Sequence, residues 1–323
     1  MKKTVLAVVM GAMAASGSAF AGTVTDVETS VYGGAEIGGN FQLDDQKDEE
    51  AGQNVTFANE HKVFVGAEIS KKVQKDVSVF VGAEAEYTFG GYDEDILNLE
   101  DGEATVTNFV VGADTVAGRT TLGIQKGIAD EFDGFADLSM EHGLGDHGFA
   151  AAIGDDNFVE DVEAGQETLQ HVTSYGPVSG GLSYDFDTEA FAVGAKAELP
   201  KGLTLGAAYV DGGIAETKAY TLGAEMSVKQ IDLAAKYSVS EDAAGVDGDA
   251  YAVSAAYGLN EKVRLAGSYN VEGDDYVMAG AKEDDYFTVG ASYQATKNVE
   301  LVTDFKFASE ADDQLFVRAN ITF

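Results

Sequence analysis

The chain has 323 residues, no cysteine and a formal charge of -36, with 56 acidic residues against 20 lysines and arginines. This charge argues against nucleic acid as a partner, because proteins bind the phosphates of nucleic acids with Lys and Arg. The lack of cysteine excludes disulfides and thiolate metal sites. A hydrophobic fraction of 45%, with 18 Phe and 14 Tyr, argues against an intrinsically disordered chain.

The first 21 residues have the pattern of a secretory signal peptide. Lys2 and Lys3 precede an apolar run from Val5 to Ala15, and small residues follow up to Ala21. The run is shorter than the roughly 20 apolar residues of a membrane-spanning helix, which is the alternative interpretation. We predict a cleaved signal peptide over residues 1–21 and one barrel domain over residues 22–323. Loss of two lysines leaves 18 basic and 56 acidic residues, a charge of -38.

Sixteen segments of the remaining chain alternate between apolar residues and small, polar or charged residues, as in β-strands with two different faces. In one segment Val79 and Val81 share a face, whereas Glu84 and Glu86 lie on the other. Many segments have about ten residues, the length that a tilted strand needs to cross a membrane. The predicted strands are 30–41, 61–72, 76–89, 106–115, 119–127, 167–176, 180–186, 190–199, 202–211, 218–228, 230–240, 249–258, 262–272, 284–293, 298–308 and 314–323.

The connections alternate between tight turns and mostly longer loops, which is typical of membrane barrels with short periplasmic turns. Lipid offers no hydrogen-bond partners, so the strands must close without an unpaired edge. A soluble β-sandwich, the competing fold, would bury charged groups such as Glu84 and Asp304. We therefore predict an all-β fold, a transmembrane antiparallel 16-stranded β-barrel of the outer membrane that is wide enough for a water-filled channel.

Glycine and tyrosine have distinct predicted positions on this barrel. Several of the 39 glycines fall on the inferred inner face and would leave the lumen with little side-chain bulk: Gly82, Gly112, Gly194, Gly206, Gly223 and Gly290. Seven tyrosines lie toward strand ends, where their rings favour the membrane interface, with cross-strand packing as the alternative: Tyr175, Tyr184, Tyr209, Tyr237, Tyr257, Tyr269 and Tyr293.

Several motifs resemble the general diffusion porins of the Gram-negative outer membrane, over most of the mature chain. They are Val31-Tyr32-Gly33, Glu86-Tyr87-Thr88-Phe89, Thr121-Leu122-Gly123-Ile124-Gln125 and the ending Val317-Arg318-Ala319-Asn320-Ile321-Thr322-Phe323. The terminal Phe323 resembles the family's barrel-assembly signal, with an ordinary last strand as the alternative. The resemblance implies a homotrimer in outer-membrane lipid and lipopolysaccharide that passes small hydrophilic solutes and ions passively, without a cofactor.

The connection after the fifth strand, residues 128–166, corresponds to the long third loop that folds into the barrel and narrows the pore in this family. Loops of this length without secondary structure are usually functional or disordered. A Glu-Phe-x-Gly sequence around Phe132 resembles the family's loop motif. The predicted constriction consists of the loop carboxylates, with a solvated acidic loop as the alternative: Asp130, Glu131, Asp133, Asp137 and Glu141.

Charged residues with inward-facing parity are the predicted pore lining: Glu36, Glu68, Glu84, Glu86, Lys62, Lys196, Lys236, Arg264, Lys306 and Arg318. Members of the resembled family usually oppose the loop acids with a cluster of arginines. One such arginine commonly follows the glycine of the fifth strand, where this chain has Ile124. Because bases are few, we expect a net negative lumen and a moderate preference for cations.

Signals for catalysis or metal binding are weak. The sequence contains no G-x-S-x-G, H-E-x-x-H or phosphate-loop motif, and its four histidines have no spacing to a nucleophile, so we predict neither an enzyme nor a metal site. Acidic runs at 44–50 and 155–163 lack calcium-loop spacing and are interpreted as solvated loops, with cation binding as the alternative.

The alternative function is a barrel that acts mainly as an adhesin or surface receptor. A substrate-specific channel would need more inward aromatic residues than Phe64, Phe80 and Phe316.

Overall fold

The computed structural model describes residues 27–43, 55–89, 103–125, 127–128, 132, 136, 138–140, 167–241, 243–273, 284–309 and 313–323. Within these residues the chain forms sixteen β-strands, and a 3-10 turn at Gly213–Ala215. No helix in the described part of the chain is both long and apolar enough to cross a membrane.

The strands are β1 (Val27–Leu43), β2 (Val55–Gln74), β3 (Val77–Phe89), β4 (Glu103–Thr115), β5 (Gly118–Ile124), β6 (Thr168–Tyr175), β7 (Val178–Asp185), β8 (Phe191–Leu199), β9 (Leu203–Asp211), β10 (Lys218–Val228), β11 (Ile231–Glu241), β12 (Asp247–Asn260), β13 (Val263–Glu272), β14 (Asp284–Thr296), β15 (Val299–Ala308) and β16 (Asp313–Thr322).

Each strand pairs in antiparallel fashion with its neighbours in the chain, and β1 also pairs with β16, so that the sheet closes into a barrel. Gly34 of β1 lies between Phe64 of β2 and Thr322 of β16. Closure satisfies the backbone groups of every strand edge, as a membrane requires. The predicted 16-stranded antiparallel barrel is confirmed.

Some strand boundaries differ from the predicted ones because backbone pairing and side-chain hydrogen bonds, rather than the alternation of apolar and polar residues, determine where the strands end. β1 and β2 are longer than predicted because backbone pairing continues beyond the clear pattern, for example between Phe41 and Phe57. β5 ends at Ile124, three residues earlier than predicted. There the side chain of Gln125 accepts a hydrogen bond from Thr121 Oγ1 (2.7 Å) and donates one to the carbonyl of Thr168 (3.0 Å), which turns the chain inward.

One end of the barrel carries only tight turns between the strands, of two or three residues each, at 75–76, 116–117, 176–177, 200–202, 229–230, 261–262 and 297–298. Lys201 and Lys229 adopt positive φ angles of 72° and 60° in two of them. The start of β1 and the end of β16 lie at this same end, which is the periplasmic end in a membrane barrel.

The two faces of the strands have opposite character, most regularly in β12. Tyr251 and Val253 are exposed on the outside of the barrel, whereas Ala250 and Ala252 are buried on the inside. The seven tyrosines predicted at strand ends all have outward parity. Some also face a tyrosine on the neighbouring strand, as Tyr237 faces Tyr251, which is the cross-strand arrangement named as the alternative.

Candidate functional site: the pore interior

The segment that follows β5 packs against the inner face of the barrel. Ile128 and Phe132 are fully buried in a cluster with small wall residues of β8, β9 and β10: Ala192, Ala208, Val210 and Ala219. Further along, Ala136 and Leu138 pack against β11, β12 and β13: Ala234, Ala256 and Ala266. Because these wall residues all have inward parity, the described part of the third loop, up to residue 140, lies inside the barrel as predicted.

Hydrogen bonds and glycines hold this segment in place. The backbone N–H of Ile128 donates to Ser183 Oγ and that of Leu138 to Ser254 Oγ, both at 3.1 Å. Three wall glycines leave room for its side chains, since a Cβ there would meet the loop within 2.6 Å: Gly181 against Ile128, Gly194 against Phe132 and Gly290 against Met140. Two of the predicted inward glycines, Gly194 and Gly290, therefore leave the space that loop side chains occupy; we call such a position a seat of the loop.

The five predicted constriction acids, Asp130, Glu131, Asp133, Asp137 and Glu141, lie outside the described residues, as do the acidic runs at 44–50 and 155–163. The described residues on either side of these acids contact the wall from β7 to β14. The opposite part of the inner wall, on β1–β5 and β16, carries most of the inward charges described below.

Two of the predicted bases on that opposite wall form ion pairs with acids. Lys62 Nζ lies 3.1 Å from Glu86 Oε2, and Arg318 Nη1 lies 3.6 Å from Glu36 Oε2. All four side chains are partly exposed to the lumen. Each pair joins adjacent strands, β2 with β3 and β16 with β1, so the positive charges lie against the wall.

Arg119 is an inward-facing base that the sequence prediction missed. Its guanidinium forms ion pairs with Glu68 (2.5 Å) and Asp114 (3.5 Å), and it lies 3.6 Å above the centre of the Phe80 ring. The signal was present, because Leu122 points outward and alternation then turns Arg119 inward. Ile124, which stands where the resembled family commonly has an arginine, has outward parity opposite Phe109.

A family comparison decides the identity of this barrel. The sequence model of the Gram-negative porins matches residues 5–313. The chain belongs to the Gram-negative porin family. It is therefore an outer-membrane channel protein, and the resemblance seen in the sequence is confirmed. No curated protein sequence matches the chain.

Solved structures share the porin fold at low sequence identity. OmpF of Salmonella typhi in complex with daunomycin has a TM-score of 0.70 and 17% identity, covering 91% of this chain and 97% of that chain. OmpT of Vibrio cholerae in a trimer form has a TM-score of 0.69 and 14% identity, covering 93% and 100%. A mutant porin of Rh. blastica has a TM-score of 0.67 and 14% identity, covering 92% and 100%. At sequence identities this low, the similarity to these structures shows a shared fold and nothing further.

Aromatic residues on the charged side of this porin lie flat across glycines of neighbouring strands. Phe80 covers Gly112, Tyr32 covers Gly66, and a Cβ on Gly34 would come within 2.9 Å of the Phe64 ring. The ring of Phe80, which is 3% exposed, therefore rests against the wall, and those of Phe64 and Tyr32 contact the glycines beside them. Such packing of an aromatic ring over a strand glycine also fixes the strand register.

Glu84 differs from Glu36, Glu68, Glu86 and Asp114 because it forms no ion pair within the described residues. Its carboxylate accepts hydrogen bonds from Thr107 Oγ1 (2.9 Å) and from the hydroxyl of Tyr32. These neutral donors hold the carboxylate in place and leave its full negative charge at the lumen surface.

The register also places the remaining predicted bases on the inner face. Lys306 Nζ lies 3.9 Å above the ring of Tyr286, and Lys236 is buried, with 3% of its surface exposed. Lys196 and Arg264 are partly exposed, opposite Ser179 and Ser292 on the neighbouring strands. No group of three or more acidic or histidine side chains that could hold a metal ion occurs among the described residues.

Phe323 closes the seam between the first and last strands of the porin. Its backbone N–H donates to the carbonyl oxygen of Gly33 at 3.0 Å, and its ring covers the outer side of Gly33, where a Cβ would lie 2.6 Å from it. The terminal residue thus contacts β1 through both backbone and side chain.

Proposed function

We propose that this porin is a water-filled channel for the passive diffusion of small hydrophilic solutes and ions, with a moderate preference for cations. The observation that carries the proposal is the arrangement of the two inner walls. The described part of the third loop is seated on the small residues of β7–β14. The ion pairs of the inner face described above lie on β1–β5 and β16, and the other strands carry the bases Lys196, Lys236, Arg264 and Lys306. A barrel of sixteen strands is too wide for side chains alone to fill, so the space between the two walls holds water.

The cation preference follows from the balance of charge on the open side, which we call the charged wall. It consists of Glu36, Lys62, Glu68, Glu84, Glu86, Asp114, Arg119 and Arg318. Its five acids and three bases give a net charge of -2, and each of these three bases lies against an acid. Glu28 and Lys72, which also have inward parity on β1 and β2, leave this net charge unchanged. Acidic linings favour cations, and screening at physiological salt limits this influence to about 8 Å.

The proposed constriction adds to this negative charge. Asp130, Glu131, Asp133, Asp137 and Glu141 belong to the segment whose described anchors run along β7 to β14, across the lumen from the charged wall. We propose that these carboxylates border the narrowest part of the channel. With acids on both sides, this channel would lack the strong transverse field that an arginine cluster opposite the loop would produce.

A broad range of solutes is supported by the flat packing of the lumen aromatics. Phe64 and Phe80 lie across glycines of the neighbouring strands and offer no projecting ladder for one particular solute. We therefore propose a general channel, which needs neither a cofactor nor a bound metal.

A homotrimer is supported by an apolar groove on the outside of β2–β5. The groove has a volume of about 710 Å³ and is lined by aliphatic side chains that include Val79, Val81, Val111 and Leu122. The outer faces of β7–β15 carry tyrosines and phenylalanines on almost every strand, which suit lipid and lipopolysaccharide contact, whereas the groove itself is lined by aliphatic side chains on its outer side. Vibrio cholerae OmpT has been solved in a trimer form. We propose that copies of this chain pack through the aliphatic face.

The proposed route to the membrane starts with residues 1–21 as a signal peptide, cleaved after Ala21. The mature chain would then cross the periplasm and insert as a barrel, with Phe323 as part of its assembly signal. Mass spectrometry of protein purified from outer membranes tests the cleavage, since a mature N-terminus at Gly22 is expected.

Single-channel recording of the refolded protein in a planar bilayer tests the function. Stepwise openings and a cation-selective reversal potential in a salt gradient are the expected results. A silent bilayer, from protein that still shows the heat-dependent gel shift of a folded barrel, would contradict the channel and favour the adhesin or receptor alternative.

A further inference from the structure

Arg119 lies at the periplasmic end of the pore, away from the seats of the third loop. It is the second residue of β5, directly after the turn at 116–117. Its ion pair with Glu68 spans from β5 to β2, across the inner faces of the two intervening strands. Asp114, its second partner, is the facing residue on β4.

The surroundings of Arg119 hold it against the wall. Gly112 of β4 lacks a side chain, and the ring of its β3 partner Phe80 occupies that space, so that the ring forms a flat surface. The guanidinium stacks on this ring at 3.6 Å, a favourable geometry for a cation on an aromatic face. Arginine suits this position because its planar group can stack and bind two carboxylates at once.

We propose that Arg119 is a specificity-determining residue, which sets the ion selectivity of the periplasmic end of the pore by masking Glu68 and Asp114. This inference rests on the proposed channel function and adds an element that is independent of the loop carboxylates. Arg119 reduces the charge of its cluster from -2 to -1. The cation preference of the pore is therefore lower than its acids alone would give.

Replacement of Arg119 by glutamine exposes both carboxylates to the lumen. A unit charge about 8 Å from the ion path changes the ratio of cation to anion permeability by about twofold at 0.15 M salt. Arg119→Gln is therefore expected to raise this ratio by about twofold, and Glu84→Gln to lower it by a similar factor. Both effects should grow at 0.01 M salt, where the screening length is about 30 Å.

Lys218→Gln provides a matched control. Lys218 also forms an ion pair with a carboxylate, Glu241 at 3.6 Å, but both residues have outward parity at the other end of the barrel. The control makes the same change in net charge and breaks a comparable pair outside the lumen. Its selectivity should equal that of the unmodified protein.

The experiment measures reversal potentials of single channels for these variants and the unmodified protein in a potassium chloride gradient. A channel that opens in steps is folded, so each recording carries its own folding test. Arg119→Lys, which retains the charge, should keep the original selectivity. Equal reversal potentials for Arg119→Gln and Lys218→Gln would overturn the inference while leaving the channel function intact. Failure of the unmodified protein to conduct would instead contradict the proposed function.

Discussion

The ring of Phe132, in the segment after β5, occupies the space above Gly194 on β8, where a Cβ would lie 2.5 Å from the ring. Phe132 is fully buried there, although its segment forms no strand of the barrel. The loop is thus attached through a side chain that fits a gap in the wall. A gap of this kind fixes the position of the segment more closely than hydrophobic contact alone, because packed interiors tolerate little change in volume.

Gly194→Ala should therefore displace Phe132 and alter the channel. Overpacking of this kind costs about 1–3 kcal/mol, and the displaced loop should broaden the distribution of single-channel conductances. Gly82→Ala is the control, since Gly82 is also an inward glycine but a Cβ there would make only an ordinary 3.4 Å contact with Val110. The same conductance and heat stability in both variants would show that the loop does not depend on this seat.

The strand arrangement was predictable because alternation is a local property of the sequence. Val79 and Val81 on one face and Glu84 and Glu86 on the other identify a strand without knowledge of its neighbours. Repetition of this pattern sixteen times, together with the need to satisfy every backbone group in lipid, leads to a closed barrel. The inward parity of the predicted lining residues follows from the same argument.

The partners of the lining residues were not predictable in this way. Arg119 contacts Glu68, which is 51 positions away in the chain, and this contact depends on strand register and on the missing side chain of Gly112. Sequence alternation gives the face of a residue but not its height along the barrel. The glycines were assigned to a lumen of low bulk, whereas Gly194 and Gly290 accommodate a loop that comes from elsewhere in the sequence.

A tryptophan at position 111 tests the proposed trimer face. Val111 lies in the aliphatic groove outside β2–β5, so Val111→Trp should fill the groove and weaken association between copies. Val253→Trp is the control, because Val253 has similar exposure on the outer face of β12, between tyrosine-bearing strands. Native mass spectrometry in detergent should show monomers for the first variant and trimers for the second. Trimers in both would mean that the copies pack through another face.

Phe323→Ala tests the predicted assembly signal. The ring covers Gly33 at the seam, so its removal should cost roughly 0.5–1 kcal/mol of cross-strand packing and should also slow barrel assembly. Pulse labelling in cells, followed by the heat-dependent gel shift, measures that rate. Phe307→Ala removes a ring that stacks on Phe287 at 4.6 Å, away from the seam, and provides a control for the loss of aromatic packing. Equal assembly rates would leave Phe323 as an ordinary strand end.

Neutralisation of three loop acids tests the proposed constriction. The triple variant Asp130→Asn, Glu131→Gln and Asp133→Asn should lower the ratio of cation to anion permeability. If each charge within about 8 Å of the ion path changes the ratio by about twofold at 0.15 M salt, three together change it by up to about eightfold. Reversal potentials in a salt gradient measure this ratio.

A second triple variant separates a local effect from a general loss of negative charge. Asp44→Asn, Asp45→Asn and Asp48→Asn make the same change of three charges in the connection between β1 and β2, which the sequence predicts to be a solvated loop. Its selectivity should remain close to that of the unmodified porin. If both triple variants shift the reversal potential equally, the preference for cations arises from the overall charge of the external loops, and the constriction proposed at Asp130, Glu131 and Asp133 is wrong.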